Sequence, residues 1–231
     1  FDQDGYDAAL VWWMEHRHGW KIEPSWVITV QGLGHAIAMA IDTWTELGEG
    51  VAFFTPVYHE FRQKTLRADR RPVELPLALV DGPYELDLDR AAAEIHADLV
   101  YGPAKHVPMA LAAPDYNDRI VTITAASKTF NLPGLRTGQT IIEDPKLRAQ
   151  YQRRITMINY QPCIPGIIAT KAAYTPEGEE YVKAQCDYLI GNREVFDAGI
   201  NAIPGLSSMP LEATYLAWVD FSGTGMSADE V

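Results

Sequence analysis

The sequence holds only two cysteines, Cys163 and Cys186, in 231 residues. They form no CxxC pair, which leaves no basis for a disulfide framework or a thiolate metal cluster. A reducing, cytosolic setting is the simplest reading. Positive charge is also scarce: 19 Lys and Arg stand against 31 Asp and Glu, for a net charge of −12. Nothing offsets phosphate repulsion, so nucleic acid and anionic membrane surfaces are excluded as expected partners. The one basic cluster, "RADRR", is short and broken by Asp69. No apolar run reaches membrane-spanning length, and no internal repeat or low-complexity tract is visible. The sequence starts at Phe1 rather than Met, so the missing basic-then-apolar leader carries little weight.

What is present is an ordinary globular composition, 47% hydrophobic and 22% charged. Periodicity and punctuation divide it into alternating elements. Helices are expected over 6–18, 35–47, 60–69, 145–158, 165–174 and 177–198. Apolar or alternating runs predict strands over 26–30, 50–56, 71–77, 119–124 and 138–143. The order strand, helix, strand, helix, strand predicts an α/β protein with a largely parallel sheet. "TYLAWVD", 214–220, reads as a strand of a second, smaller domain. The stretch 86–102, "LDLDRAAAEIHADLVYG", breaks the rhythm, running from a helix opening straight into a strand-like segment.

Chemistry concentrates in three stretches. The first is "TAASKTFNLPGLRTG", 124–138. A lysine flanked by Ser and Thr is most often a solvated loop residue. Here Arg136 follows beyond a Pro-Gly turn that can fold its guanidinium back towards Lys128. Such a guanidinium can hold a phosphate by paired hydrogen bonds. A lysine beside a phosphate clamp suggests a Schiff base with pyridoxal 5′-phosphate. The second is "VQGLGHA", 30–36, where a strand passes into a helix start. Backbone amides at a helix N-terminus bind phosphate, although glycines there usually only turn the chain. The spacing is not the GxGxxG of a dinucleotide site. The third is "TPVYHEF", 55–61, in which Tyr58 follows a strand-ending proline and can stack on a flat heterocycle or serve as a rim tyrosine. His16 and His18 do not share a helix face, and a metal site is not expected there.

"TPVYHEF", "EIHADLVYG", "SKTFNLPGLRTG" and "PLEATYLAWVDF" together resemble the fold-type I pyridoxal-phosphate enzymes. More narrowly they resemble the MalY/PatB branch of the class I/II aminotransferase group, the cystathionine β-lyase-type C–S lyases. The opening "GYDAALVWWMEHRHGWKIEPSWVIT" is similar to the same branch, so the likeness runs over nearly the whole chain. The resemblance implies a three-layer α/β/α large domain, expected over 1–175, and the start of a smaller C-terminal domain over 176–231. It also implies roles: Lys128 as the Schiff-base lysine, Arg136 as a phosphate ligand, Leu33 and Gly34 as the backbone phosphate cradle. Tyr58 would stack on the pyridine, and His96 would reach the cofactor's phenolic oxygen or else be a satisfied core histidine. Ser127 would help hold phosphate or cap its turn. A homodimer with active sites between subunits is implied as well.

The sequence departs from the family pattern in places. Ala93 precedes Glu94 where the family has the aspartate that keeps the pyridine nitrogen protonated. The family's Asn-Pro-x-Asn-Pro-x-Gly stretch has no room between Asp89 and Glu94. The expectation is therefore a break in the family sequence near 90–94, with "AAA" ending a helix before it and "EIHADL" following it. Ala125 stands where some relatives carry a phosphate-binding serine. The implied reaction is α,β-elimination from a cysteine-type amino acid. The open alternatives are an aminotransferase on the same fold and a non-catalytic regulator that binds a partner protein.

Overall fold

A computed structural model describes every residue except Pro56, 80–83, 86–95, Tyr160, Pro210 and 228–229. The expected break near 90–94, with Ala93 and Glu94, lies outside the described residues.

Helix α1 (Gln3–His18) starts where Asp2 accepts a hydrogen bond from the Gly5 amide and stops at Gly19, in the left-handed region at φ 67°. That pairing of an N-cap carboxylate with a C-cap glycine fixes both ends locally. The chain then forms β1 (Val27–Val30), α2 (Leu33–Trp44), β2 (Gly50–Thr55), α3 (Glu60–Arg67) and β3 (Arg71–Pro76). Two short arms, β4 (Ala78–Leu79) and β5 (Tyr84–Glu85), pair antiparallel. After α4 (Met109–Ala112) come β6 (Thr122–Thr124) and β7 (Gly138–Ile141). Helices α5 (Pro145–Met157), α6 (Ile164–Ala173) and α7 (Pro176–Asn201) follow, then the short pair β8 (Ser207–Ser208) and β9 (Val219–Asp220). Asp144 and Thr175 cap α5 and α7 from the side chain, each with a proline in the first turn, where a missing N–H costs nothing.

The architecture is α/β. Strands β2 and β3 pair in parallel. Strand β7 runs antiparallel between β1 and β6, so β1 and β6 point the same way and their C-terminal ends emerge at one edge. Period-two alternation sorts β7 between two helical layers. Ile141 packs with α1, α6 and α7, while Ile142, just past the strand, packs with α2 and α5. The polar residues just before them follow the same rule. Gln139 Nε2 donates to the Tyr6 hydroxyl of α1 at 2.9 Å, and Thr140 Oγ1 to the Tyr151 hydroxyl of α5 at 3.3 Å. Burial pushes the Tyr151 hydroxyl up to about 12, so at neutral pH it stays protonated and donates onward to the Ala36 carbonyl at 3.2 Å. Each fully buried large side chain in these layers contributes on the order of 1.5–3 kcal/mol through area removed from water.

Helix α6 meets the start of β7 at very close range. A Cβ on Gly166 would overlap Thr137 Oγ1 and the Leu135 carbonyl, so only glycine allows that approach.

Most expected elements appear within a residue or two. Helix α2 starts earlier than expected, at Leu33, and ends at Trp44. The expected strand over 214–220 is largely absent: only Val219–Asp220 pair with β8. Thr214 sits at φ 65°, and its Oγ1 accepts from the Leu216 amide at 2.8 Å. That local turn takes the backbone out of register. Just before it, Ala213 bridges Val100, and Tyr101 and Thr214 amides bond the Glu212 and Leu99 carbonyls. In the 86–102 stretch, the described part turns at 96–98 and joins this bridge at Val100.

Candidate active site

Because Val30 stands opposite Gly138 and Thr124 opposite Gln139, the turns leaving β1 and β6 emerge side by side over the start of β7. The C-terminal edge of an open sheet is where α/β proteins bind ligands. The first turn contains Gly32, at φ 95° and ψ 157°, a region open essentially to glycine alone. A Cβ on it would lie 3.9 Å from the Arg136 backbone, which puts the 32–34 turn directly against Arg136. Leu33 reaches inward, its Cδ1 3.0 Å from where a Cβ of Gly138 would stand. The amides at the start of α2 therefore open towards this corner.

The second turn carries the lysine. Ala125 and Ala126 are buried at the end of β6. Phe130 N then bonds the Ala126 carbonyl and Leu132 N the Ser127 carbonyl, both at 2.9 Å. This coil holds Lys128 and Ser127 half-buried rather than extended into water. Arg136 is exposed at φ 46°. Among the described residues, neither Lys128 nor Arg136 has a hydrogen bond or ion pair through its side chain.

His96 lies within electrostatic reach of Lys128. Burial, and then the Lys128 charge, lower its pKa, which keeps the imidazole neutral near pH 7. Its Nδ1 is buried without a hydrogen-bond partner among the described residues, and its ring meets the edge of Tyr215 at 5.3 Å. A buried orphan ring nitrogen costs free energy unless a ligand atom satisfies it. Tyr58 stands apart: it is 63% exposed on the β2–α3 connection and contacts His59. Lys64 of α3 approaches the start of α2, its Nζ 3.4 Å from a Cβ position on Gly34, while paired to Glu60 at 2.8 Å. The structure thus sets the 32–34 turn against Arg136, while Lys128 and Ser127 lie on the turn after β6, with His96 within electrostatic reach of Lys128.

Sequence reasoning passed over one residue of this region, Asp98. It is buried at 5% exposure. It accepts from Trp13 Nε1 at 3.0 Å, Thr129 Oγ1 at 2.8 Å and His18 Nε2 at 2.9 Å. Burial alone raises its pKa, but the bonds from His18, Thr129 and Trp13 outweigh it and hold the carboxyl below the usual range. An acidic residue inside the apolar run "HADLVYG" was the available signal.

The donor set fits pyridoxal phosphate at both ends. A half-buried amine without a counter-ion suits an aldehyde; a guanidinium beside helix-start amides suits a phosphate dianion; the orphan His96 Nδ1 suits a phenolic oxygen. Ala93, which the resemblance sets at the pyridine-nitrogen position, lies outside the described residues.

Comparison with known proteins agrees. "Cystathionine beta-lyase PatB" of Bacillus subtilis is 28% identical over 277 aligned positions, covering 100% of this chain and 71% of PatB. That alignment is longer than the 231 residues here, so PatB carries internal residues without a counterpart. The PLP-bound aminotransferase candidate of Clostridium difficile 630 superposes with a TM-score of 0.91 at 27% identity, over 98% of this chain and 70% of that one. The PLP-bound C–S lyase of Staphylococcus hominis gives 0.83 at 25% identity, over 94% and 66%. The family model "Aminotransferase class I and II" matches residues 92–231, more than half of the sequence, and the chain belongs to that family.

Proposed function

We propose that the chain is a pyridoxal-phosphate-dependent C–S β-lyase acting on cysteine-type amino acids such as cystathionine. With water, cystathionine would give a thiol, pyruvate and ammonia. The observation that carries this reading is the half-buried Lys128, without a hydrogen bond or ion pair among the described residues, within electrostatic reach of His96, whose buried Nδ1 is likewise unpaired among them. The likeness to PatB favours the lyase among the family's chemistries.

In this reading Arg136 and the amides of Leu33 and Gly34 hold the phosphate. His96 would bond the phenolic oxygen, and Tyr58 would stack on the ring. Ser127 adds a phosphate contact or caps the lysine turn. Bound pyridoxal phosphate supplies an aldehyde for an amine and an electron sink for charge developing at Cα. Lys128 Nζ would hold the cofactor at its aldehyde and would be freed when a substrate amine takes that place. Freed Nζ takes the Cα proton as general base. The thiolate departs from Cβ, and the remaining three-carbon fragment hydrolyses to pyruvate and ammonia. Division into a large unit, 1–175, and the start of a small one, 176–231, belongs to the same proposal. So do the homodimer and the cytoplasmic setting. Among the described residues no helix is long and apolar enough to cross a membrane.

The test is incubation of pyridoxal-phosphate-loaded protein with cystathionine and no keto acid. Pyruvate should accumulate over many turnovers. Turnover that appears only when a keto acid is added would replace the lyase with an aminotransferase, the chemistry assigned to the Clostridium difficile neighbour. A stable protein that binds no pyridoxal phosphate would point to a regulator.

Arg136→Ala should raise the pyridoxal phosphate concentration for half-saturation about tenfold to a hundredfold, because charge-assisted bonds of this kind contribute roughly 1.5–3 kcal/mol. Titration of the visible absorbance checks it, and an unchanged midpoint would remove Arg136 from the phosphate site.

A further inference from the structure

Thr129 follows Lys128 directly and is fully buried at 0% exposure. Its hydroxyl spends its proton on Asp98 Oδ2 at 2.8 Å. The other oxygen of that carboxylate is taken by Trp13 and His18 of α1 at 3.0 and 2.9 Å. A carboxylate only accepts, so His18 Nε2 carries the proton of its bond. Arg17 Nη2 donates to the Asp98 main-chain carbonyl at 2.8 Å. Asp98 is thereby fixed from both its carboxylate and its backbone. It also lies two positions after His96, in the same 96–98 turn.

One buried carboxylate therefore joins three things: helix α1, the turn bearing His96 and the turn bearing Lys128. Resting on the function proposed above, we propose that Asp98 is a positioning residue for Lys128, acting through the Thr129 hydroxyl. Among the described residues the Lys128 turn has two main-chain bonds of its own, Phe130 N to Ala126 O and Leu132 N to Ser127 O. The Thr129 bond pins its centre to the layer beneath. With that bond in place, Nζ and His96 approach the cofactor as one unit. Without it the lysine turn pivots while the α1 anchor stays. Displacements of about an ångström at a reacting group cost up to about a hundredfold in rate, so a single buried hydroxyl has leverage on the chemistry.

Two substitutions separate position from packing. Thr129→Val keeps the volume and loses the donor. Thr129→Ser keeps the donor and leaves a methyl-sized gap. Amide hydrogen exchange in the cofactor-free protein should rise about tenfold at Phe130 and Leu132 in Thr129→Val and stay near the unaltered rate in Thr129→Ser, with α1 protected in both. The second readout is the rate at which Lys128 captures pyridoxal 5′-phosphate, its Nζ joining the aldehyde carbon with loss of water. Borohydride fixes the product for mass mapping. Capture and kcat should both fall on the order of tenfold in Thr129→Val with KM little changed, and remain within about twofold in Thr129→Ser despite a lower Tm. If valine prevents folding, Thr129→Ala removes the same donor without crowding Oδ2 and should behave as valine would. Equal exchange and capture in the Ser and Val proteins would overturn the proposal, as would losses that simply track Tm. If the unaltered protein captures no pyridoxal phosphate, the functional reading falls. The exchange comparison still decides whether Asp98 orders the lysine turn.

Discussion

Lys128→Ala should abolish cystathionine breakdown, lowering kcat at least about a thousandfold, and should also remove the visible absorbance that develops when pyridoxal phosphate is added. Two losses combine. The amine that joins the cofactor is gone, and so is the base that takes the Cα proton; general base catalysis alone contributes roughly 10²–10⁴-fold. Folding should be nearly untouched. Lys128 is half-buried, and among the described residues its side chain has no bond or ion pair to lose. Thermal unfolding of the cofactor-free proteins should therefore match within about 1 kcal/mol, the range for a substitution away from caps, cores and networks. Pyruvate release by the alanine protein at more than a few per cent of the unaltered rate would remove Lys128 from the chemistry.

Asp98→Ala should have the largest effect on stability, about 3–5 kcal/mol by denaturant titration. Breaking a buried charged network by removing one partner strands the others. Here the Trp13 N–H, the Thr129 hydroxyl and His18 Nε2 all lose their acceptor. The same carboxylate gives stability a pH signature. Its folded pKa lies below the ordinary value of about 3.9. A depressed folded pKa contributes stability that is fully present above the unfolded pKa and is lost as pH falls through the folded one. The unaltered protein should therefore weaken steeply below about pH 4. Asp98→Asn, which cannot ionise, should be weaker at neutral pH and show a shallower acid slope below about pH 4. Identical acid slopes would show that folding leaves the Asp98 pKa at its unfolded value.

Local signals foretold much of this molecule. Asp2 and Gly19 mark the ends of α1 to within a few residues, because caps act within one turn. The apolar runs at 26–30 and 50–56 became β1 and β2, since alternation and β-branched content report directly on burial. Lys128, Arg136 and the Gly32 turn were visible as residue types suited to an aldehyde and a phosphate. Tyr58 was legible as an aromatic after a proline, and in the structure it is 63% exposed and contacts His59.

Sequence by itself determined where the chain bends, which faces turn inward and which few side chains can meet a phosphate-bearing aldehyde. These properties are set within a turn or two of backbone. Only the tertiary structure decided that β7 runs backwards between β1 and β6, bringing the turns after Val30 and Thr124 to one edge. It alone decided that 214–220 turns at Thr214 instead of extending, and that Asp98 sits beneath the lysine turn rather than in solvent. Strand order, long-range pairing and the burial of a charge are settled by contacts between residues far apart along the chain, and no local pattern encodes the free energy of those meetings.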